Sequence, residues 1–175
     1  MEMMIIDKAR KIISIILLLC GMSAIFIFST MDGERSTNTS KSIIEISPND
    51  LNREVYGENE LDQKMREQNV LTVRMNKRIR KIAHFFEFCV LSMILVFTLN
   101  SFNLNGQKSY IIALMFVFLY ACTDELHQFF ISGRDARFLD VIIDSTGGAF
   151  GLVIYAAVNE LFVEIKEKLF TKTKM

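Results

Sequence analysis

The run from Ile12 to Thr30 carries no charged side chain, and this constrains the chain more than any other feature. As a helix rising about 1.5 Å per residue it covers roughly 28 Å, close to the roughly 30 Å of a bilayer's hydrocarbon core. Inside that core no water satisfies backbone N–H and C=O groups, so a spanning segment must bond them internally. Three more apolar blocks follow, Ile82 to Leu99, Tyr110 to Phe130 and Phe138 to Phe162. The connections "NSFNLNGQKS", with Asn105-Gly106 at its tip, and "SGRDAR" are short. Short links between helices force antiparallel neighbours. The expected fold is an all-α integral membrane protein with about four transmembrane helices in an antiparallel bundle.

Composition agrees. Of 175 residues 51% are hydrophobic, with 15 Phe and no Trp. Twenty basic residues balance twenty acidic ones, which argues against a nucleic-acid partner, since such proteins carry a basic excess. The bilayer is the expected partner. Cys20, Cys89 and Cys122 all lie in apolar segments and read as small apolar filler rather than disulfide partners. "LLLCG" around Cys20 has a bulky Leu19 before the cysteine and an apolar run after it. Ile12 to Thr30 is therefore expected to stay as an uncleaved first span.

The chain divides at sequence level into four parts. Residues 1–30 hold the N-terminal tail and first span. Residues 31–81 are a polar loop containing Pro48, the sole proline. Within it Leu61, Met65, Val70, Met75 and Ile79 are spaced for an apolar helix face, so it is either partly an interfacial helix or a solvated linker. Residues 82–165 form a three-helix core, and residues 166–175 a charged tail.

The later spans raise a difficulty. Their stretches without charge are Phe88–Leu99, Tyr110–Thr123 and Ser145–Val158. These reach only about 18–21 Å, two turns short of a crossing. Each must draw neighbouring polar residues into the membrane: His84 and Glu87 at the start of the second span, Asp124, Glu125, His127 and Gln128 at the end of the third, Asp140 and Asp144 at the start of the fourth. With spans alternating in direction, all three ends fall on the same side. On a helix, positions i and i+3 or i+4 share a face. So do His84 with Glu87, Asp124 with His127 and Gln128, and Asp140 with Asp144. The Asp140/Asp144 stripe continues into Gly147, Gly148 and Gly151.

Ionisable groups within spans are costly, about 2.5–3.5 kcal/mol each at a helix centre, and mark functional sites by default. Three readings remain open. The cluster is a binding or catalytic pocket, or an ion-pair network in which Arg78, Arg80, Lys81, Arg134 and Arg137 neutralise the acids, or a set of side chains reaching for interfacial water. His with a carboxylate suits acid–base chemistry, and nearby basic groups suit a phosphate. The paired Glu-x-x-His helices of di-metal bundles are absent. No metal or other cofactor is expected. The basic run "RMNKRIRK" beside the second span is either a headgroup anchor or a contributor to the pocket through Arg80 and Lys81.

"RKIAHFFEF", "ACTDELHQFF" and "GRDARFLDVIIDSTGGAFG" together resemble the VanZ-like family of bacterial membrane proteins. The matching positions are Arg80, Lys81, His84, Glu87, Asp124, Glu125, Gln128, Arg134, Asp140, Asp144 and Gly147. Phe88 stands where the family pattern has Tyr, which removes one hydroxyl. The first span and the loop match only loosely. The resemblance implies a bacterial cell-membrane location and a link to envelope or lipid-linked processes, the family's namesake being associated with low-level teicoplanin resistance. It identifies no reaction.

The expected site comprises Arg80, Lys81, His84, Glu87, Asp124, Glu125, His127, Gln128, Arg134, Asp140 and Asp144, binding or acting on an envelope component or a glycopeptide antibiotic. The alternatives are a membrane enzyme acting on a phospholipid or lipid-linked substrate, or a small transporter or channel subunit. Whether the chain is an enzyme stays open at this level. Lys8, Arg10 and Lys11 precede the first span against Arg35 and Lys41 after it. This favours cytoplasmic termini under the positive-inside rule. In a background lacking the native cysteines, Asn49→Cys and Ser132→Cys should be labelled by an impermeant thiol reagent from one side of the membrane, and Gln107→Cys from the other. Labelling of the first two from opposite sides would remove the argument for one shared site.

Overall fold

The computed structural model describes residues 2–45, 58–131 and 136–172. These form four long helices, α1 (Glu2–Glu45), α2 (Glu58–Ser101), α3 (Gln107–Phe129) and α4 (Phe138–Lys172). Each contains a stretch long and apolar enough to cross a membrane: Met3–Thr30, Val70–Ser101, Gln107–Phe129 and Phe138–Leu169. The helices pack together with α2 at the centre, in contact with the other three. The exteriors carry the large apolar side chains, among them Ile16, Phe28, Phe86, Ile111, Met115 and Val153, as lipid-facing surfaces require. The stretch from Leu61 to Ile79 is helical and runs continuously into the span of α2.

The buried face of α2 repeats at helical spacing through Phe88, Leu91, Ser92, Leu95 and Val96. That of α3 is narrower, Ala113, Val117 and Ala121, each one turn from the last. The same stripe then passes into Asp124, Glu125 and Gln128, which are equally buried. The polar residues thus continue the core face of α3 rather than interrupt it.

The seam between α2 and α4 depends on glycine. A Cβ on Gly147 would overlap the backbone carbonyl of Phe85, and one on Gly151 would overlap the carbonyl of Cys89 and the hydroxyl of Ser92. Gly148 faces the other way, onto the side chain of Val117 in α3. Small residues four apart let helix backbones touch where lipid supplies no hydrophobic drive for association. The contacts Phe85–Gly147 and Cys89–Gly151 advance together along both chains, so α2 and α4 run parallel. This is the alternation expected of spans two and four.

At the far end α2 stops at a helix cap. Leu104 N–H bonds to Leu99 C=O and Asn103 N–H to Asn100 C=O, at 3.0 and 3.1 Å. Asn103 takes the left-handed conformation with φ 65°, which Asn tolerates better than most residues. Gly106, φ 74°, opens α3. Asn100 also donates to the Tyr155 hydroxyl of α4 at 3.1 Å, and Thr98 to the Ser14 carbonyl of α1 at 3.2 Å. The hairpin turn is therefore tied to both neighbours.

Replacing Gly147 or Gly151 by Ala should lower the unfolding midpoint in detergent, with a cost of about 1–3 kcal/mol or more for overpacking. Val153→Leu on the lipid face should leave the midpoint unchanged. A Gly151→Ala protein as stable as wild type would show that the seam can open without penalty.

Candidate functional site

The parallel α2–α4 seam sets the depth of the polar residues. One turn before the Gly147 contact, α4 presents Asp144, buried with 3% exposure. Beside Phe85, α2 presents His84, buried with 6% exposure. The end of α3 brings Asp124, also 3% exposed, to the same point. One ligand atom from each of His84, Asp124 and Asp144 falls within 4.8 Å of the others.

The surroundings of this triad are asymmetric. Gln128, one turn on from Asp124, donates its Nε2–H to Asp124 Oδ2 at 2.8 Å. The other oxygen, Oδ1, is buried without a hydrogen-bond partner among the described residues. Asp124, Asp140, Glu125 and Glu87 all lie near enough to Asp144 to interact with it electrostatically. Glu87 sits one turn along α2 with Oε2 3.4 Å from His84 Nδ1, placed to orient the imidazole.

Other polar residues of the cluster make structural ties. Lys81 pairs with Asp140 and so joins the membrane entry of α2 to the first turn of α4. Asp140 lies where the positive end of the helix dipole favours a carboxylate. Glu125 accepts a bond from the backbone N–H of Arg137, fixing the end of α3 to the start of α4. Arg80 lies near enough to Glu125 for their charges to interact. Asp124 and Asp144 belong to none of the described ion pairs. Part of the cluster is thus an ion-pair network, and part is not.

His127 does not join the triad. Its ring stacks on Phe26 of α1, centroids 4.3 Å apart, and its Nε2 lies 3.3 Å from the Thr30 hydroxyl. Tyr120, one turn before Asp124, also reaches α1, donating to the Met22 carbonyl at 2.7 Å. Both side chains clasp α3 onto α1. Arg134 lies outside the described residues. The sequence reading missed the contribution of α1, namely Phe26, Thr30 and the Met22 carbonyl. No charge lies within the apolar run of α1, Ile12 to Thr30, and only Ser29 and Thr30 at its end gave a signal.

An apolar groove of about 300 Å³ runs between α1 and α2. Gly21, Ile25 and Phe28 form one wall, Phe86, Val90 and Leu91 the other. Among the described residues Glu87 is the sole charged group lining it. Phe28, Phe86 and Val90 are about half exposed on the exterior of the bundle, so the groove faces lipid and leads to the neighbour of His84.

The sequence pattern of the VanZ/LLP1 family matches residues 14–161, which takes in the triad, the seam, the second and third spans, and most of the first and fourth. The chain belongs to the VanZ/LLP1 family. No curated protein and no solved structure matches it. The match begins within the first span, so α1, whose motifs resemble the family least, is included in the VanZ/LLP1 unit. Its contacts with His127 and Tyr120 join it to α3.

The Lys81–Asp140 pair is testable by a double-mutant cycle. Asp140→Asn and Lys81→Met should each lower stability. The double variant should recover part of the loss, with a coupling of about 0.5–3 kcal/mol, towards the low end because Lys81 is one-third exposed. Simple additivity would mean that the pair does not hold α2 to α4.

Proposed function

We propose that this VanZ/LLP1 protein takes an amphipathic envelope molecule from the bilayer, with its polar head at the His84–Asp124–Asp144 cluster and its apolar part in the α1–α2 groove. The observation that carries the reading is the continuity between the two. The groove is apolar along its walls and reaches a charged group at Glu87, whose Oε2 lies 3.4 Å from His84 Nδ1. Lipid-linked precursors and acylated glycopeptides such as teicoplanin have the matching chemistry, a polar head on an apolar anchor. With cytoplasmic termini, as the flanks of the first span favour, the cluster would face the outer leaflet, where both are met.

A catalytic reading on the same class of substrate is favoured by one further feature. An imidazole and two carboxylates held together away from bulk water suit proton transfer. A transport path finds less support. Between the polar ends the described core is sealed by Phe88, Leu91, Val96 and Val117, all at most 1% exposed.

The test separates groove from cluster. Ala24 also lines the groove, and Ala24→Phe should fill it. In a teicoplanin-sensitive bacterial host, wild type should change sensitivity, while Ala24→Phe and Asp144→Asn should not, at folded yields near wild type. Native mass spectrometry should find lipid retained on wild type and depleted from Ala24→Phe. Full activity and full lipid retention in the filled-groove variant would overturn the proposal.

A further inference from the structure

We propose that His84, Asp124 and Asp144 form a binding site for one divalent transition-metal ion. The inference deepens the reading of this cluster as a functional site. It rests on that reading but not on the identity of the amphiphile. It also departs from the expectation raised by the sequence, where the known two-metal helix spacing is missing. Here the ligands come singly from three helices, a convergence that no spacing along the chain encodes.

Four observations carry it. First, the donor set is one imidazole nitrogen and two carboxylates, contributed by α2, α3 and α4 and all buried. One nitrogen with two oxygens suits ions of intermediate hardness such as Zn²⁺, Mn²⁺ or Fe²⁺. Second, the donor atoms are within 4.8 Å of one another. Neighbouring donors on a tetrahedral ion with bonds of about 2.1 Å lie roughly 3.4 Å apart, a difference that small side-chain rotations close. Third, Asp124 is 3% exposed, and while Oδ2 is held by Gln128, Oδ1 has no hydrogen-bond partner among the described residues. A buried acceptor left so bears its desolvation cost unrepaid unless something binds it. Fourth, Asp124 and Asp144 lie side by side in the bundle and neither is in a described ion pair, so a bound cation would supply the partner that both lack there.

The shell around these ligands fits as well. Gln128 orients Asp124 and Glu87 lies beside His84 Nδ1, the kind of outer partners that metal ligands keep. Three protein donors leave a coordination position for water or for an oxygen of a bound molecule.

The experiment uses the full chain in nanodiscs, stripped with a chelator and titrated with Mn²⁺ or Zn²⁺. Wild type should retain about one ion per chain after desalting and unfold at a higher temperature with the ion than without it. Asp124→Asn and Asp144→Asn should each weaken binding by at least about tenfold, and Gln128→Ala by about 10–100-fold. Glu164→Gln, exposed on the far part of α4, should bind as wild type. The chain has only two histidines, so the ¹⁴N coupling in pulsed EPR of bound Mn²⁺ should vanish in His84→Gln and persist in His127→Gln. If the triad variants fail to fold, the wild-type stoichiometry, thermal shift and ¹⁴N coupling decide alone. Wild type that holds no more ion than the Asp124→Asn/Asp144→Asn double variant, or that shows no imidazole coupling, overturns the site. Lipid retained without any ion overturns the metal and leaves the amphiphile. An ion bound by a chain whose groove can be filled without effect does the reverse.

Discussion

The backbone contact between α2 and α4 is the constraint on which the other features depend. Two glycines on one face of α4 remove the side chains that would hold the helices apart. The carbonyls of Phe85 and Cys89 then fix how far α4 slides along α2. That register brings Asp144 level with His84 and sets Asp140 against Lys81. In a bilayer, where burial of apolar surface does not favour one helix pairing over another, such close packing decides register. A side chain at Gly147 would part the helices just below the site and separate its two halves.

The cluster also divides its charges by role. Asp140 and Glu125 are used to join helix ends, one through Lys81 and one through a backbone N–H. His127 and Tyr120 hold α1 in place. This leaves His84, Asp124 and Asp144 deeper in the bundle, the two aspartates outside the described ion pairs. Structural ties surround the site at the membrane face, and the triad lies inside them. Such an arrangement keeps three helices converging on a cluster of acidic side chains. The opposite end shows the contrast. There the ties between helices run between neutral groups, Asn100 to Tyr155 and Thr98 to the Ser14 carbonyl.

Much of this was legible beforehand, for identifiable reasons. Four apolar blocks with short links leave few alternatives to an antiparallel bundle. The charge-free stretches were too short to cross, so the adjoining polar residues had to enter the membrane, and alternation put them on one side. The glycine stripe marked a close helix contact. The i, i+3 and i+4 rule grouped Asp124 with Gln128 correctly. It also grouped them with His127, which the structure turns to α1 instead. The face of a helix is wide enough to serve two neighbours, and the sequence does not say which neighbour a residue at its edge will meet.

The sequence by itself therefore determined that this is a membrane bundle and that polar residues of its second, third and fourth spans gather at one end. These follow from bilayer thickness and helix rise, which act along a single chain segment. Only the tertiary structure decided which acids become tethers and which remain in the triad, and that α1 supplies a wall of the groove and a cover for His127. Those outcomes depend on the distances between side chains of different helices. They are set by how closely two backbones approach, a quantity that one missing Cβ can change and that no pattern within one span records.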